Sequence, residues 1–278
     1  MAVVPFAQYV NVGVTNRNKP WMSVPNDSTS TQSNVCTTYQ PITGTSNCQT
    51  KTATGYNDGV PYTYTYQDCT YTYGPPVTTC GPQTSTSTWN GCAGSRDYPK
   101  DNDAKVASGQ PVPGVMDVWC GTELLRLTKD RSKIDDTIAS LSASGETFIP
   151  AGLIWGWRAI SPDAPFEDAT QYTGSKAARK ALVLMTDGAN TRSPNYPDHE
   201  GYDANKANQL MAETCAAIKT QKISLYTVAF NVTDQAAKDR LSACASSPAQ
   251  FFDAPNAAQL QTSFQKIGQT LAALYLKR

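Results

Sequence analysis

The chain is poor in charged residues and in histidine, and these shortages restrict its partners and its chemistry. Charged residues make up 17% of the 278 residues, the formal net charge is zero, and the only histidine is His199. No basic patch emerges along the sequence, so we expect no nucleic-acid partner. No two cysteines are spaced as C-x-x-C, and together with the single histidine this argues against a zinc finger or zinc ribbon.

The signatures of common catalytic folds are also missing. The sequence contains no G-x-S-x-G, H-E-x-x-H, P-loop or G-x-G-x-x-G motif. From the missing catalytic motifs we expect that the protein is not an enzyme.

The sequence also has no signal peptide and no hydrophobic run long enough to cross a membrane.

The cysteines, in contrast, indicate an oxidising compartment. Their number is even and most lie in loop-like sequence, as in exported, disulfide-bonded proteins. The pairing of six of them stays open: Cys36, Cys48, Cys69, Cys80, Cys92 and Cys120. Cys215 and Cys244 lie on two predicted helices that can pack side by side, so a disulfide between them is the expected pair. Because export requires a signal, we expect an exporting or anchoring segment upstream of Met1.

Residues 20–110 differ in composition from the rest of the chain. Ser, Thr, Asn, Gly and Pro dominate there, and no helical period is visible. The run YTYTYQDCTYTY at 62–73 alternates Tyr with Thr and predicts a hairpin that turns near Gln67 and Asp68. The tyrosines are either a binding surface or cross-strand pairs that stabilise the hairpin, and we favour the second. We predict a disulfide-pinned insertion over residues 20–110.

The remainder alternates predicted strands and helices. Apolar runs at 3–12, 181–185, 223–230 and 251–254 read as strands. The helices between them have the candidate caps Thr128 or Asp130, Asp203, Asp234 and Asn256. The last helix carries an apolar stripe expected to cover the sheet: Leu260, Phe264, Ile267, Leu271 and Leu274. This order predicts an α/β fold with a doubly wound, mostly parallel sheet.

Two of the predicted helices have faces that bear on packing. The helix after residue 130 presents Ile134, Ile138 and Leu141 on one side, which should be its buried face. In the helix over residues 150–160, Gly152 and Gly156 are four residues apart and leave a smooth face for close approach to the sheet. Its tryptophans are interpreted as packing residues.

Oxygen ligands lie where a buried strand ends. Thr186 and Asp187 follow the strand at 181–185, and ligands bind at the carboxyl edge of open α/β sheets. Hydroxyl and carboxylate oxygens suit hard cations, although Asp187-Gly188 could equally be only a turn. Asp198-His199-Glu200 could also coordinate a metal, but a single histidine in a polar loop is more often exposed, so we discount this triplet.

Several segments together resemble the von Willebrand factor A-like domain of TadG-type proteins, which belong to the Tad (Flp) pilus-assembly system of the cell envelope. They are VPFAQYVNVG at 4–13, CGTELLRL at 120–127, ETFIPAGLIWGWR at 146–158, ALVLMTDGANT at 181–191 and the tail at 211–276. The resemblance implies a Rossmann-like A domain at residues 1–19 and 111–278. It also implies that the first strand, the first helix and the main ligand loop are missing before Met1.

The family's metal-ion-dependent adhesion site takes ligands from three loops, and only two have counterparts here. Thr147 matches the second loop and Asp187 the third. The segment Asp27-Ser28-Thr29-Ser30-Thr31 has hydroxyls at the offsets of the first loop but does not follow a buried strand, so we reject it. One hydroxyl and one carboxylate leave most of an octahedral shell to water, so we expect only weak Mg²⁺ or Mn²⁺ binding.

The resemblance implies a non-enzymatic protein of pilus assembly or adhesion that contacts other pilus-assembly or surface proteins. It would lie on the periplasmic or extracellular face of a bacterial envelope, anchored in the membrane in its full-length form. Two alternatives stay open. One is a metal-assisted hydrolase that uses Asp187 and the 198–200 triplet, and the other is a cytosolic A-domain subunit of an ATP-driven metal-insertion complex.

Overall fold

A computed structural model describes residues 1–57, 60–174 and 178–276. The strands are β1 (Val10–Asn11), β2 (Met22–Ser23), β3 (Ser28–Tyr39), β4 (Ile42–Asn57), β5 (Val60–Tyr73), β6 (Val77–Ser87), β7 (Cys92–Ala93), β8 (Val112–Pro113), β9 (Ala181–Thr186), β10 (Ser224–Phe230) and β11 (Phe251–Ala254). The helices are α1 (Arg131–Ala139), α2 (Ile149–Ala159), α3 (Ala204–Thr220), α4 (Gln235–Cys244) and α5 (Ala257–Leu276). Two compact units result: Met1–Pro25 with Trp89–Arg278, and Asn26–Thr88.

The larger unit contains a three-stranded parallel sheet in the order β11-β10-β9. The central strand β10 is buried on both faces, as its continuous apolar sequence predicts. Alternate residues of β10 point to opposite faces. Leu225 and Ala229 pack in the main core with α2, α3 and α4, whereas Tyr226 and Val228 pack in a second cluster with α5. Helices therefore cover both faces of this sheet.

The stripe of α5 covers the sheet only in part. Ile267 is buried against β10, and Leu260 and Leu271 pack at the border of the same cluster. Phe264 is exposed. The side chain of Leu274 lies outside the described residues. Among the described residues, no helix combines the length and the hydrophobicity needed to cross a bilayer.

The N-terminal strand differs from its prediction in length and in partner. Only Val10–Asn11 forms a strand, and β1 pairs antiparallel with β7 instead of joining β9. Val10 and Val12 are nevertheless fully buried in the main core. Within the described ranges β9 has β10 as its sole neighbour, so residues 3–12 do not pair with β9. The partner of β1, Cys92–Ala93, comes from the segment that the sequence analysis assigned to the insertion.

The boundaries of the smaller unit lie inside the expected insertion. Residues 20–25 and 89–110 belong to the larger unit, because Trp21, Met22 and Trp89 are buried in its main core. Trp21 packs edge-on against Trp155 of α2, with ring centroids 6.0 Å apart. These aromatic residues lie in sequence that is otherwise polar, so the composition of the segment did not predict that they pack in the main core.

Helix caps follow the sequence closely. Asp130, Asp203 and Asp234 each accept hydrogen bonds from amides in the first turn of α1, α3 and α4. Asn256 does the same for α5 through the amide of Gln259. The expected burial of the α1 face is wrong, because no residue of α1 is buried and Ile138 is 49% exposed.

Four disulfides use all eight cysteines. Cys215 on α3 is bonded to Cys244 at the end of α4, the pairing expected from the sequence. Cys92 is bonded to Cys120, which joins β7 to the loop before α1. The other two bonds, Cys36–Cys80 and Cys48–Cys69, lie in the smaller unit.

The smaller unit is one long antiparallel β-ribbon (described over residues 28–57 and 60–87). β3 pairs with β6 and β4 pairs with β5, and each pair is joined by a disulfide between facing strands. The expected hairpin turn near Gln67 and Asp68 is wrong. β5 runs straight through both residues because β4, not the second half of β5, is its partner.

Candidate functional site

The turn after β9 places Asp187 at the carboxyl edge of the parallel sheet. The buried Thr186 hydroxyl donates to the carbonyl oxygen of Gly188 at 3.1 Å and accepts from the Gly188 amide at 3.3 Å. Because both bonds close on the Thr186 side chain, the backbone bends at Asp187 and Gly188. The Asp187 side chain is left exposed. The bend at Asp187-Gly188 therefore lies at the carboxyl edge of the sheet.

Thr147 lies at the same edge. Its carbonyl oxygen accepts hydrogen bonds from the amides of Thr191 and Arg192 at 2.9 and 3.1 Å, and its own amide donates to the Thr191 hydroxyl at 2.9 Å. These bonds hold the segment before α2 against the loop that follows Asp187. The two ligands implied by the family resemblance thus belong to adjoining segments at one end of β9.

Asn190 is the buried residue that holds this edge together. Its Oδ1 accepts from the amide of Ile149 in the first turn of α2, and its Nδ2 donates to Oδ1 of Asn208 on α3. α2 has no side-chain cap of its own, so Asn190 satisfies one of the free amides at its start from a distant loop. The sequence analysis missed this role because the partner is 41 residues away.

Arg192 adds a positive charge at this edge. Its Nε donates to the carboxylate of Glu146, and its guanidinium lies 3.8 Å from the centre of the Tyr202 ring. The carboxylate next in sequence to Thr147 is therefore already paired. The positive charge of the Arg192 guanidinium would also repel a metal cation bound nearby.

These donors do not fit a resident divalent cation. Asp187 contributes one exposed carboxylate, Thr147 one hydroxyl, and the Thr186 hydroxyl is used in the turn. A hard cation takes about six oxygen ligands, so most of its shell would be water. Among the described residues no group of three or more His, Cys, Asp or Glu side chains could hold a metal ion. Weak Mg²⁺ or Mn²⁺ binding stays a prediction.

His199 is buried, contrary to the expectation of an exposed loop residue. It is 7% exposed, and a Cβ atom added to Gly94 would lie 2.5 Å from its Cε1. Burial lowers the pKa of His199, although the charge of Asp198 opposes this. Asp198 and Glu200 are exposed while the imidazole points into the protein. The triplet therefore does not converge on a metal or a substrate.

A buried charged cluster lies beside α2. Arg158 is 2% exposed, and its guanidinium donates to the carbonyl oxygens of Asp103 and Ala104 and stacks on the Trp155 ring at 4.5 Å. Burial lowers the pKa of Arg158 well below its usual range, and the charge of Arg96 adds to this. Burial also raises the pKa of Asp101. The only sequence signal for this cluster is a charged residue inside the apolar helix α2.

The cavity next to this cluster is about 20 Å³, which suits a water molecule and not an organic substrate. Ser95 lines this cavity, and its hydroxyl donates to the carbonyl oxygen of Pro194 at 2.9 Å. The carbonyl contacts of Arg158 fix the loop around Asp103 to α2. We interpret the cluster as structural.

A shallow groove lies on the larger unit beside the N-terminal segment. It has a volume of about 120 Å³ and is lined by residues that include Phe6, Trp119 and Leu141. Trp119 is 72% exposed, and Leu141 is 44% exposed. Exposed tryptophan at the edge of an apolar groove is typical of surfaces that bind other proteins.

Comparisons with known proteins do not extend this description. No protein family matches the chain, and no curated protein is similar to it in sequence. The resemblance to TadG-type proteins therefore depends on the sequence segments alone and stays a prediction.

Proposed function

We propose that the protein is a non-enzymatic component of the cell envelope that acts by contact with other proteins. The observation that carries this proposal is the disulfide-locked ribbon. Its strands β3 and β6 are exposed along almost their whole length, and two disulfides hold its facing strands together. A ribbon of this kind encloses no interior for substrate, but it offers a large surface for contact.

The location follows from the cysteines. All eight are in disulfides, which form and persist in oxidising compartments outside the cytoplasm. The periplasmic or extracellular face is therefore the coarser and better supported part of the proposal. A cytosolic role in a metal-insertion complex is disfavoured by the same bonds.

The finer part is a role in Tad/Flp-type pilus assembly or adhesion, through a von Willebrand factor A-like domain. Its support is the sequence resemblance, together with a parallel sheet that has helices on both faces. Thr147 and Asp187 lie in adjoining segments at the carboxyl end of β9, where the resemblance puts a contact edge. We propose that this edge binds a partner without a tightly held cation.

The proposal is tested in the bacterium that encodes the protein. Deletion of the gene should reduce surface pili and attachment, counted by electron microscopy and by surface adhesion. Complementation with the full chain should restore both, whereas a chain with residues 26–88 replaced by a short Gly-Ser linker should not. Fractionation should place the protein outside the cytoplasm. Normal piliation and attachment of the deletion strain would overturn the pilus assignment.

The hydrolase alternative has its own test. Purified protein with intact disulfides is screened against phosphoester and peptide substrates, with and without added Mg²⁺ or Mn²⁺. We expect no turnover above that of an Asp187→Ala variant. Turnover that disappears in the Asp187→Ala variant would replace the contact proposal with an enzymatic one.

A further inference from the structure

The base of the ribbon has a palindromic sequence. Residues 28–32 read STSTQ and residues 83–87 read QTSTS. In the β3–β6 pair this brings identical residues face to face: Ser28 with Ser87, Thr29 with Thr86, Ser30 with Ser85, Thr31 with Thr84, and Gln32 with Gln83. Each strand of this segment is therefore complementary to the other and, by the same chemistry, to a copy of the other.

Side-chain hydroxyls reinforce these identical pairs. The hydroxyls of Ser30 and Ser85 are 2.8 Å apart, and those of Thr31 and Thr84 are 3.1 Å apart. A hydroxyl has one donor and two acceptor lone pairs, so a single partner does not exhaust it. The same hydroxyls can bond to a further strand laid beside them on the same face.

The outer edges of these strands are open. Within the described residues β3 and β6 pair with each other and with no other strand. Every second residue of an antiparallel pair directs its backbone amide and carbonyl outward, so residues 28–32 and 83–86 carry donors and acceptors along the outer edges. Residues 28–32 on β3 and 83–86 on β6 are solvent-exposed, and Ser87 is half-buried.

The usual protection of such edges is missing in this segment. Natural edge strands are commonly guarded by charges, proline or bulges. The ten residues of the palindrome include no charge and no proline, and the register shift of β3 lies beyond Gln32. Residues 26–88 contain four charged side chains, Asp27, Lys51, Asp58 and Asp68, and Lys51 forms an ion pair with Asp68. Within the palindrome itself, no side-chain charge opposes the approach of a second copy.

We propose that the ribbon joins a second copy of this chain edge to edge, with β3 of one copy beside β6 of the next. This arrangement repeats between copies the same five residue pairs that form within one copy. The two edges used lie on opposite sides of the ribbon, so the contact is heterologous and growth is open-ended. The result is a continuous antiparallel sheet that runs through successive molecules.

This inference concerns a different surface from the Thr147–Asp187 edge and does not rest on the proposed function. It makes the protein a self-assembling element at its ribbon, whatever else the larger unit binds. Its failure would leave the localisation and piliation experiments above unaffected.

The test is sedimentation of the full, oxidised chain over a range of concentrations. The wild type should show an average mass that rises with concentration beyond that of a dimer. The variant Gln32→Lys with Thr86→Lys places charges on opposite faces of the ribbon, so they do not meet within one copy. In an array like charges would recur on every second strand, about 10 Å apart, and a lysine on each outer strand also disfavours edge-to-edge pairing, so we expect loss of the concentration-dependent rise.

A matched control carries the same added charge elsewhere. Gln261→Lys with Gln265→Lys changes two exposed residues of α5 and should associate like the wild type. Titration of free thiols shows whether the disulfides of each variant have formed. Hydrogen exchange supplies a second measurement: amides of β3 and β6 should gain protection at high concentration in the wild type and in the α5 variant only.

Three results would overturn the proposal. The first is a wild type that stays monomeric at the highest soluble concentration. The second is a ribbon variant with formed disulfides that associates as strongly as the wild type. The third is association that stops at a dimer, because a closed pair is incompatible with the heterologous β3–β6 contact.

Discussion

The side-chain oxygen of Asn190 accepts a hydrogen bond from the amide of Ile149 at 2.7 Å, although the two residues are 41 positions apart in sequence. Asn190 is buried, and its amide nitrogen is also engaged with Asn208 at 2.9 Å. Through these bonds one side chain connects the loop after β9, the start of α2 and the face of α3. The edge that contains Thr147 and Asp187 depends on this connection.

We expect Asn190→Ala to destabilise the larger unit by about 1–3 kcal/mol, because it leaves a buried amide without a partner. The measurement is the midpoint of urea unfolding under non-reducing conditions, followed by tryptophan fluorescence. Asn205→Ala, at an exposed position of α3, is the control and should unfold like the wild type. Equal midpoints for Asn190→Ala and the wild type would mean that the bond contributes nothing.

The disulfide between Cys215 and Cys244 should stabilise the larger unit substantially. It closes a loop with a sequence separation of 29 and is buried in the main core. Replacing both cysteines by alanine should lower the free energy of unfolding by about 3–4 kcal/mol. All five tryptophans belong to the larger unit, so their fluorescence reports its unfolding alone.

The same experiment has an internal control in the ribbon. Cys36→Ala with Cys80→Ala removes a bond of the smaller unit and should leave the tryptophan transition unchanged. A tryptophan transition that shifts equally in both double variants would show that the two units unfold together.

Stability should fall as the pH is lowered through the ordinary range of histidine. Burial lowers the pKa of His199 in the folded protein, so below about pH 6.5 the unfolded chain takes up a proton that the folded chain resists. The decline should continue down to the folded pKa and then level off. It is measured as the unfolding midpoint between pH 5 and pH 8, which spans this range.

His199→Asn is the matching variant, because asparagine tolerates the positive φ of 55° at this position. It should remove the decline, since His199 is the only histidine. Asp101 is a useful contrast, because burial raises its pKa and its contribution has the opposite sign, with stability lost as the pH rises above the ordinary range of a carboxyl. A decline that persists unchanged in His199→Asn would assign it to other groups.

Replacement by alanine should have opposite effects at Gly152 of α2 and at Gly268 of α5. A Cβ atom at Gly152 would lie 2.5 Å from the Phe6 ring, so Gly152→Ala should destabilise by about 1–3 kcal/mol through overpacking. At Gly268, in α5, no atom lies within 4 Å of an added Cβ. Gly268→Ala should therefore stabilise by about 1 kcal/mol, the helix propensity difference. Both are measured by urea unfolding, and a stabilising Gly152→Ala would contradict the packing described.

Metal binding at the sheet edge should be weak. With one carboxylate and one hydroxyl available, titration calorimetry with Mg²⁺ or Mn²⁺ should show no saturable heat in the micromolar range. The control is Asp187→Ala, which should give the same trace. Micromolar binding that is lost in Asp187→Ala would show that the donor set is more complete than Thr147 and Asp187.

Local sequence signals proved the most dependable guide to the fold. The caps Asp203 and Asp234 and the strand at 251–254 lie where the sequence predicted them, because each depends on residues within one or two turns. Continuous apolar sequence likewise identified β10 as buried on both faces. The incorrect predictions concern strand pairing between segments that are distant in sequence. Residues 3–12 and 62–73 have strand-like patterns, but a pattern does not say which strand will be the partner.

The residues of the candidate site likewise fall into those that the sequence identified and those that only the structure revealed. The local sequence located Asp187 at a strand end, whereas Thr147 was named only because the family resemblance implied it. It missed Asn190 and Arg192, because their roles depend on Ile149 and Glu146, each more than forty residues away. It also misjudged His199, since polar neighbours in sequence gave no sign that Gly94 leaves room for the imidazole.

By itself the sequence determined the class of residue available: oxygen ligands at a strand end, eight cysteines, and a Ser/Thr/Tyr-rich segment with an uncharged palindrome at its base. Only the tertiary structure decided that the palindrome faces itself across β3 and β6, that the cysteines form four bonds, and that β9 lies at the end of its sheet. The reason is physical. Side-chain chemistry and local propensity are properties of the residue, whereas strand partners and burial are settled by competition among all the segments that the chain can bring together.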